Sequence, residues 1–189
     1  LPSIQQDLGA TLQQLEWTVN AYTLAFAVTL IPGAAIGDRF GRKRTFLAGL
    51  ALFTASSAAA ALAPGASELV AARALQGIGG AIVAPLTLTL LAEAFPPARR
   101  GAALGIWSGI SGLGIALGPL VGGAVVSGLS WQWIFWINVP LGLVLIPLAW
   151  RQLAESHGPT NKLDLPGLAL VSIGLLGIVW GLVRGNGQG

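Results

Sequence analysis

Residues 101–150 form a run of fifty positions without one charged side chain. A helix of that length would extend about 75 Å, more than twice the ~30 Å apolar thickness of a bilayer. The run therefore holds two membrane spans, and Ser127-Gly128-Leu129-Ser130 is the natural break between them. Further spans lie at about residues 17–36 and 45–63, both uncharged, and at 68–92 and 165–183. Hydrophobic residues make up 54% of the chain and charged residues 9%, against roughly 25% charged in a soluble domain. An all-α membrane protein with six transmembrane helices is predicted.

Charge is concentrated between the spans. Gly37-Asp38-Arg39-Phe40-Gly41-Arg42-Lys43-Arg44 places one acid and four bases within eight residues and reads as a tight turn. Arg99, Arg100, Arg151 and Lys162 fall on the same side as that turn, the last two in a stretch that also holds Glu155, His157 and Asp164. Asp7, Glu16 and Glu68 fall on the opposite side, with Arg184 the one basic exception. Bases accumulate on the cytoplasmic face, so the octapeptide faces the cytoplasm and residues 1–16 read as a short external loop. The net charge of +3 follows from this bias, and no nucleic-acid partner is implied because aromatics do not interleave with the bases. Cysteine is absent and His157 is the single histidine, so no metal or cofactor is expected. The chain begins Leu1-Pro2, holds no methionine, and ends Gly185-Asn186-Gly187-Gln188-Gly189 directly after an apolar run, which reads as an internal fragment.

Asp38 lies at the C-terminal end of a span, where the helix dipole disfavours a carboxylate by ~0.3–1 kcal/mol. Arg42, four residues on beyond Gly41, is the nearest compensating cation, and Glu93 at the end of the third span can join it. Charges that only set topology would need the bases but neither Asp38 nor Gly41. Arg73 stands inside a span, where a guanidinium costs ~2.5–3.5 kcal/mol near the centre. Either it faces an interior cavity, beside a protonatable carboxylate or a bound substrate, or it snorkels to the outer interface. Gly101, Gly105 and Gly109, and again Gly114, Gly118 and Gly122 followed by Gly123, recur at four-residue spacing. Such ladders let helix backbones touch, and Gly118-Pro119 adds a kink or pivot. Pro32-Gly33 is expected to loosen the end of the first span, Ser56-Ser57 and residues 58–61 to give the second a close-packing surface, and Trp131, Trp133 and Trp136 to form an interfacial aromatic belt. Asn20, Tyr22 and Gln76 are weaker candidates for cavity-lining contacts, since polar groups in a span face the protein interior.

The octapeptide resembles the signature between the second and third helices of the major facilitator superfamily, although that pattern has glycine where Ala34 stands here, with Gly33 adjacent. The resemblance implies that Asp38, Gly41 and Arg42, with Glu93, form a latch between transporter halves. Arg73-Ala74-Leu75-Gln76-Gly77 is similar to the family's fourth-helix motif, which implies a role for Arg73 in proton coupling. Gly114, Gly118, Pro119, Gly122 and Gly123 resemble its antiporter motif, characteristic of exporters. Lys162-Leu163-Asp164-Leu165-Pro166-Gly167 leading into another span resembles the fourteen-helix drug:proton antiporters. The chain would then be a partial major-facilitator helical bundle: residues 1–151 as helices two to six of the N-terminal half, and residues 152–189 as a cytoplasmic linker and first inserted helix. The implied function is proton-driven export of small lipophilic or cationic compounds, with protons, the lipid bilayer and the remainder of the same chain as partners, in a bacterial plasma membrane. An importer of sugars or organic anions and a non-transporting membrane sensor remain alternatives. An enzyme is the weakest reading, because acid, base and nucleophile do not cluster.

Overall fold

The computed structural model describes residues 2–159 and 164–185. Lys162 and residues 186–189 lie outside that range. Among the described residues the chain forms eight helices: α1 (Pro2–Leu8), α2 (Leu12–Phe40), α3 (Arg42–Ala61), α4 (Ala66–Ala94), α5 (Pro97–Gly128), α6 (Trp133–Trp136), α7 (Asn138–Gln152) and α8 (Leu165–Gly185). Six segments are long and apolar enough to cross a membrane, with α6 and α7 counting as one.

Polar residues conceal where α2 begins. The expected loop at 1–16 is mostly helical over residues 2–16: α1 occupies Pro2–Leu8, and α2 starts at Leu12 under a capping box. The Thr11 side chain accepts from the Gln14 backbone N–H at 3.3 Å, and Gln14 Oε1 accepts from the Thr11 N–H at 2.9 Å. That reciprocal pair satisfies two of the orphan donors every helix start leaves. Nor does Pro32-Gly33 loosen the helix, which continues to Phe40. Gly33 is buried against Ile82 of α4, where an added Cβ would lie 3.1 Å from Ile82 Cγ1. Helix-to-helix packing holds the segment straight enough to continue past its proline.

The central element is α4, which packs most extensively on α2 and nearly as much on α3. Its small residues explain both contacts. A Cβ at Gly79 would lie 2.7 Å from the Phe53 backbone nitrogen and 2.9 Å from the Gly49 carbonyl oxygen of α3. A Cβ at Gly77 would press on the Tyr22 carbonyl oxygen and lie 3.2 Å from the Phe26 nitrogen of α2. Across from α4, Ser56, Ser57, Ala60 and Ala61 of α3 are buried, as expected of a small-residue surface. Backbone cannot yield as a side chain does, so Gly79→Ala is expected to force α3 and α4 apart. Overpacking of this kind costs about 1–3 kcal/mol. Gly80→Ala, which would meet only the Tyr22 hydroxyl at 3.1 Å and the Phe26 ring, should be tolerated. Melting temperatures of the two variants in detergent give the comparison.

A core at the end opposite the charged turn gathers Leu15 of α2, Ala60 and Ala61 of α3, Leu69 and Ala72 of α4, and Trp131 and Phe135, with Ile4 of α1 closing it. The expected aromatic belt divides here. Trp133 is exposed, whereas Trp131 is 2% exposed and donates its indole N–H to Asp7 Oδ2 at 3.0 Å. Burying an indole requires such an acceptor, and α1 supplies it. The break between the fourth and fifth spans falls at residues 129–132, slightly later than the expected position. The last helix, α8, lies along α2, with Trp180 tilted 5.5 Å from Trp17 and Ser172 Oγ donating to the Val28 carbonyl at 3.3 Å.

Candidate functional site

The charged turn is tighter than a loop. Residues 37–40 close α2 and residues 42–44 open α3, so one residue, Gly41, carries the whole reversal. Its φ of 110° lies in a region that side-chain-bearing residues avoid. The sharp turn brings Asp38 and Arg42 face to face: Arg42 Nε donates to Asp38 Oδ1 at 2.7 Å. The same guanidinium donates through Nη1 to Glu93 Oε1 at the end of α4. One cation thus ties α2, α3 and α4 together, with its side chain 12% exposed. The carboxylates are 42% and 38% exposed, so solvent shares in stabilising the acid excess. Close packing at this end falls to Gly33 and Gly37, the latter against the Leu86 side chain, with Ala34 only half-buried.

No local motif marks residues 153–158 as part of this cluster. They leave α7 as an extended strap and lie across the turn. Glu155 accepts backbone N–H bonds from Lys43 at 2.9 Å and Arg44 at 3.2 Å. The Ser156 carbonyl accepts from the Arg42 N–H at 2.9 Å, and the Gly158 N–H donates to the Asp38 carbonyl at 2.8 Å. Ser156 Oγ donates to Glu93 Oε2. A lone glutamate more than a hundred positions from its partners has no periodicity or motif to reveal it.

The second constellation surrounds Arg73. Nε donates to the Thr18 carbonyl of α2 at 2.9 Å and Nη1 to Gln76 Oε1 at 2.6 Å. Gln76, 2% exposed, passes the chain on through Nε2 to Ser57 Oγ of α3 at 2.6 Å. The guanidinium carbon stands 4.3 Å from the Tyr22 ring centroid and 5.8 Å from that of Phe135. Arg73 therefore turns toward α2 and the bundle interior, with its side chain half-buried. No carboxylate pairs with it among the described residues. Carbonyl dipoles and a π face hold its charge. Tyr22 forms one wall of this site, Gln76 is committed to α3, and Asn20 is half-buried on α2.

The third candidate lies apart from the other two. Helix α5 runs unbroken through Pro119, and a Cβ added at Gly101, Gly105, Gly109, Gly114, Gly118, Gly122 or Gly123 would find nothing within 4 Å. At these positions no neighbouring helix among the described residues comes close enough to require glycine, so close packing within this part of the chain does not account for the spacing.

The profile of the Major Facilitator Superfamily matches residues 1–187. The chain is 40% identical over its whole length to the tetracenomycin C resistance and export protein of Streptomyces glaucescens, covering 35% of that protein. It is 42% identical, again over its whole length, to the probable actinorhodin transporter of Streptomyces coelicolor, covering 33% of it. It thus spans about a third of the length of these relatives. A crystal structure of the peptide transporter POT in complex with sulfate superposes on 96% of the chain with a TM-score of 0.71 at 21% identity, the match covering 40% of that transporter. That likeness is one of fold.

Proposed function

The chain belongs to the Major Facilitator Superfamily, and we propose that it is part of a proton-coupled transporter that exports small lipophilic or cationic compounds by alternating access. It is a multi-pass protein of the bacterial plasma membrane, in a family of transporters and not of enzymes. Residues 1–151 supply helices two to six of the N-terminal half, and residues 152–189 the linker and first inserted helix. In this reading the halves rock about a midplane site.

The observation that carries the proposal is the single guanidinium of Arg42 held by Asp38 and Glu93 at the junction of three helices. Surface ion pairs contribute little. A shared cation at a one-residue turn instead makes a two-position element: Arg42 in place fixes the helix ends, and Arg42 displaced frees them. Gly41 permits the reversal, Arg73 couples proton movement to the cavity, and Gly114, Gly118, Pro119, Gly122 and Gly123 present a close-approach face that seals against leakage. The export direction rests on the resemblance of the α5 glycines to the antiporter motif and on a relative that is itself a resistance and export protein. Tetracenomycin C and actinorhodin are accordingly the first substrates to try, beside a fluorescent lipophilic cation.

The test is efflux from cells expressing the full-length protein, with an uncoupler added midway. Cell-associated probe should fall and then recover once the uncoupler collapses the gradient. Uptake of sugars or organic anions in place of efflux would favour an importer. Binding without gradient-dependent movement would favour a sensor.

A further inference from the structure

We propose that the strap at residues 153–158 is a working part of the latch, with Glu155 as the positioning residue that holds Arg42 between its two carboxylates. The inference rests on the gating role given above to Asp38, Arg42 and Glu93.

A helix start leaves N–H groups without partners, and α3 starts under severe terms. Its N-cap is Gly41, which has no side chain to offer. The strap supplies what is missing, and does so three times in succession: the Ser156 carbonyl to Arg42 N–H, then Glu155 Oε1 to Lys43 N–H and Oε2 to Arg44 N–H. The carboxylate sits where the α3 dipole favours negative charge. On the other side of the turn, the Gly158 N–H serves the Asp38 carbonyl, one of the orphan acceptors at the end of α2. Both helix ends flanking the latch are thus completed by one strand of chain. Side-chain charge is the lesser effect: Arg44 Nε stands 3.5 Å from Glu155 Oε2 and its side chain is 79% exposed, so screening leaves that pair weak.

The glycines record the same fit. A Cβ at Gly41 would come within 2.8 Å of the Glu155 carboxylate, and one at Gly158 within 2.5 Å of Asp38 Cβ. Yet the strap is not embedded in core. Beneath it lies a cavity of about 350 Å³ lined by Leu90, Glu93, Ala94, Gln152, Leu153 and Ser156. An element fixed by hydrogen bonds over open space can lift without dismantling packed side chains. Because the strap hangs from the last turn of α7, a shift of α7 would pull it from the turn and release Arg42.

Backbone hydrogen exchange in the full-length protein, with efflux measured alongside, tests this. In Glu155→Ala, exchange at the amides of residues 42–44 should rise by roughly tenfold or more while the α3 interior stays protected. Glu155→Gln, which keeps one acceptor oxygen, should fall between. Efflux in Glu155→Ala should lose rate at saturating substrate with KM unchanged, and adding Arg42→Ala should produce no further loss, since both act on one element. Unchanged exchange at 42–44 would overturn the proposal. So would raised exchange with normal efflux, or losses from Glu155→Ala and Arg42→Ala that simply add. If the full-length protein moves no probe at all, the transport reading fails. The strap is then decided by exchange alone: Arg42→Ala and Glu155→Ala must deprotect the same amides non-additively, or it too fails.

Discussion

Arg73→Ala is expected to cut uncoupler-sensitive efflux by roughly tenfold or more, about 1.4 kcal/mol of barrier per tenfold, while leaving the protein folded. The second half of that expectation gives the first its meaning. Arg73 donates to a carbonyl already engaged in the α2 ladder and to Gln76, which keeps its own bond to Ser57 when the guanidinium is gone. No carboxylate among the described residues is left unpaired by the change. Placing a guanidinium in a span costs ~2.5–3.5 kcal/mol at the centre and less near the end, where Arg73 lies about two turns into α4, so the ~1.5–3 kcal/mol that a hydrogen bond to a charged group contributes is enough to offset it. Deleting the side chain removes cost and gain together, so melting temperature should barely move. Arg73→Lys separates the two roles considered for this residue. A lysine would serve an interfacial anchor well, but one compact ammonium cannot reach both the Thr18 carbonyl and Gln76 while covering the Tyr22 ring. Efflux in Arg73→Lys should therefore stay near the alanine level. Full rescue by lysine, or a large drop in melting temperature with alanine, would make Arg73 a structural anchor and remove it from the coupling step.

What the sequence disclosed was governed by how local each signal is. Uncharged runs and clustered bases are properties of short windows, which is why the six spans, the charged turn and the Asp38–Arg42–Glu93 association could be anticipated. The start of α2 was hidden because Gln13, Gln14 and Glu16 are polar, although the Thr11–Gln14 capping box was a local sign of a helix N-terminus. Trp131 belongs to the core and not to the belt because Asp7, 124 positions earlier, accepts its N–H. Glu155 reaches Lys43 across 112 positions. In both cases the decisive partner is remote, and composition treats either residue as one more aromatic or one more loop charge. The latch glycine shows a subtler displacement: Gly33 and Gly37 make the close contacts with α4, so Ala34 in place of the family's glycine leaves the packing intact.

Gly41→Ala should be the most damaging single change at the turn, and two effects contribute unequally. The first is conformational. At φ 110° and ψ 124° an alanine is held in sparsely populated backbone space, a strain of about 1–3 kcal/mol. The second is steric: the new methyl would meet the Glu155 carboxylate at 2.8 Å. That carboxylate is the far end of a flexible side chain, so it moves aside at little cost, but in moving it abandons the N–H groups of Lys43 and Arg44. Strain therefore sets the loss of stability, while displacement of Glu155 sets the loss of gating. The two separate in the double variant Gly41→Ala/Glu155→Ala. With the carboxylate gone the clash disappears and the φ strain stays, so melting temperature should remain as low as in Gly41→Ala, or fall slightly further as the α3 cap is lost. Recovery to the parent value would mean that contact with Glu155, and not the backbone, is what requires glycine at position 41.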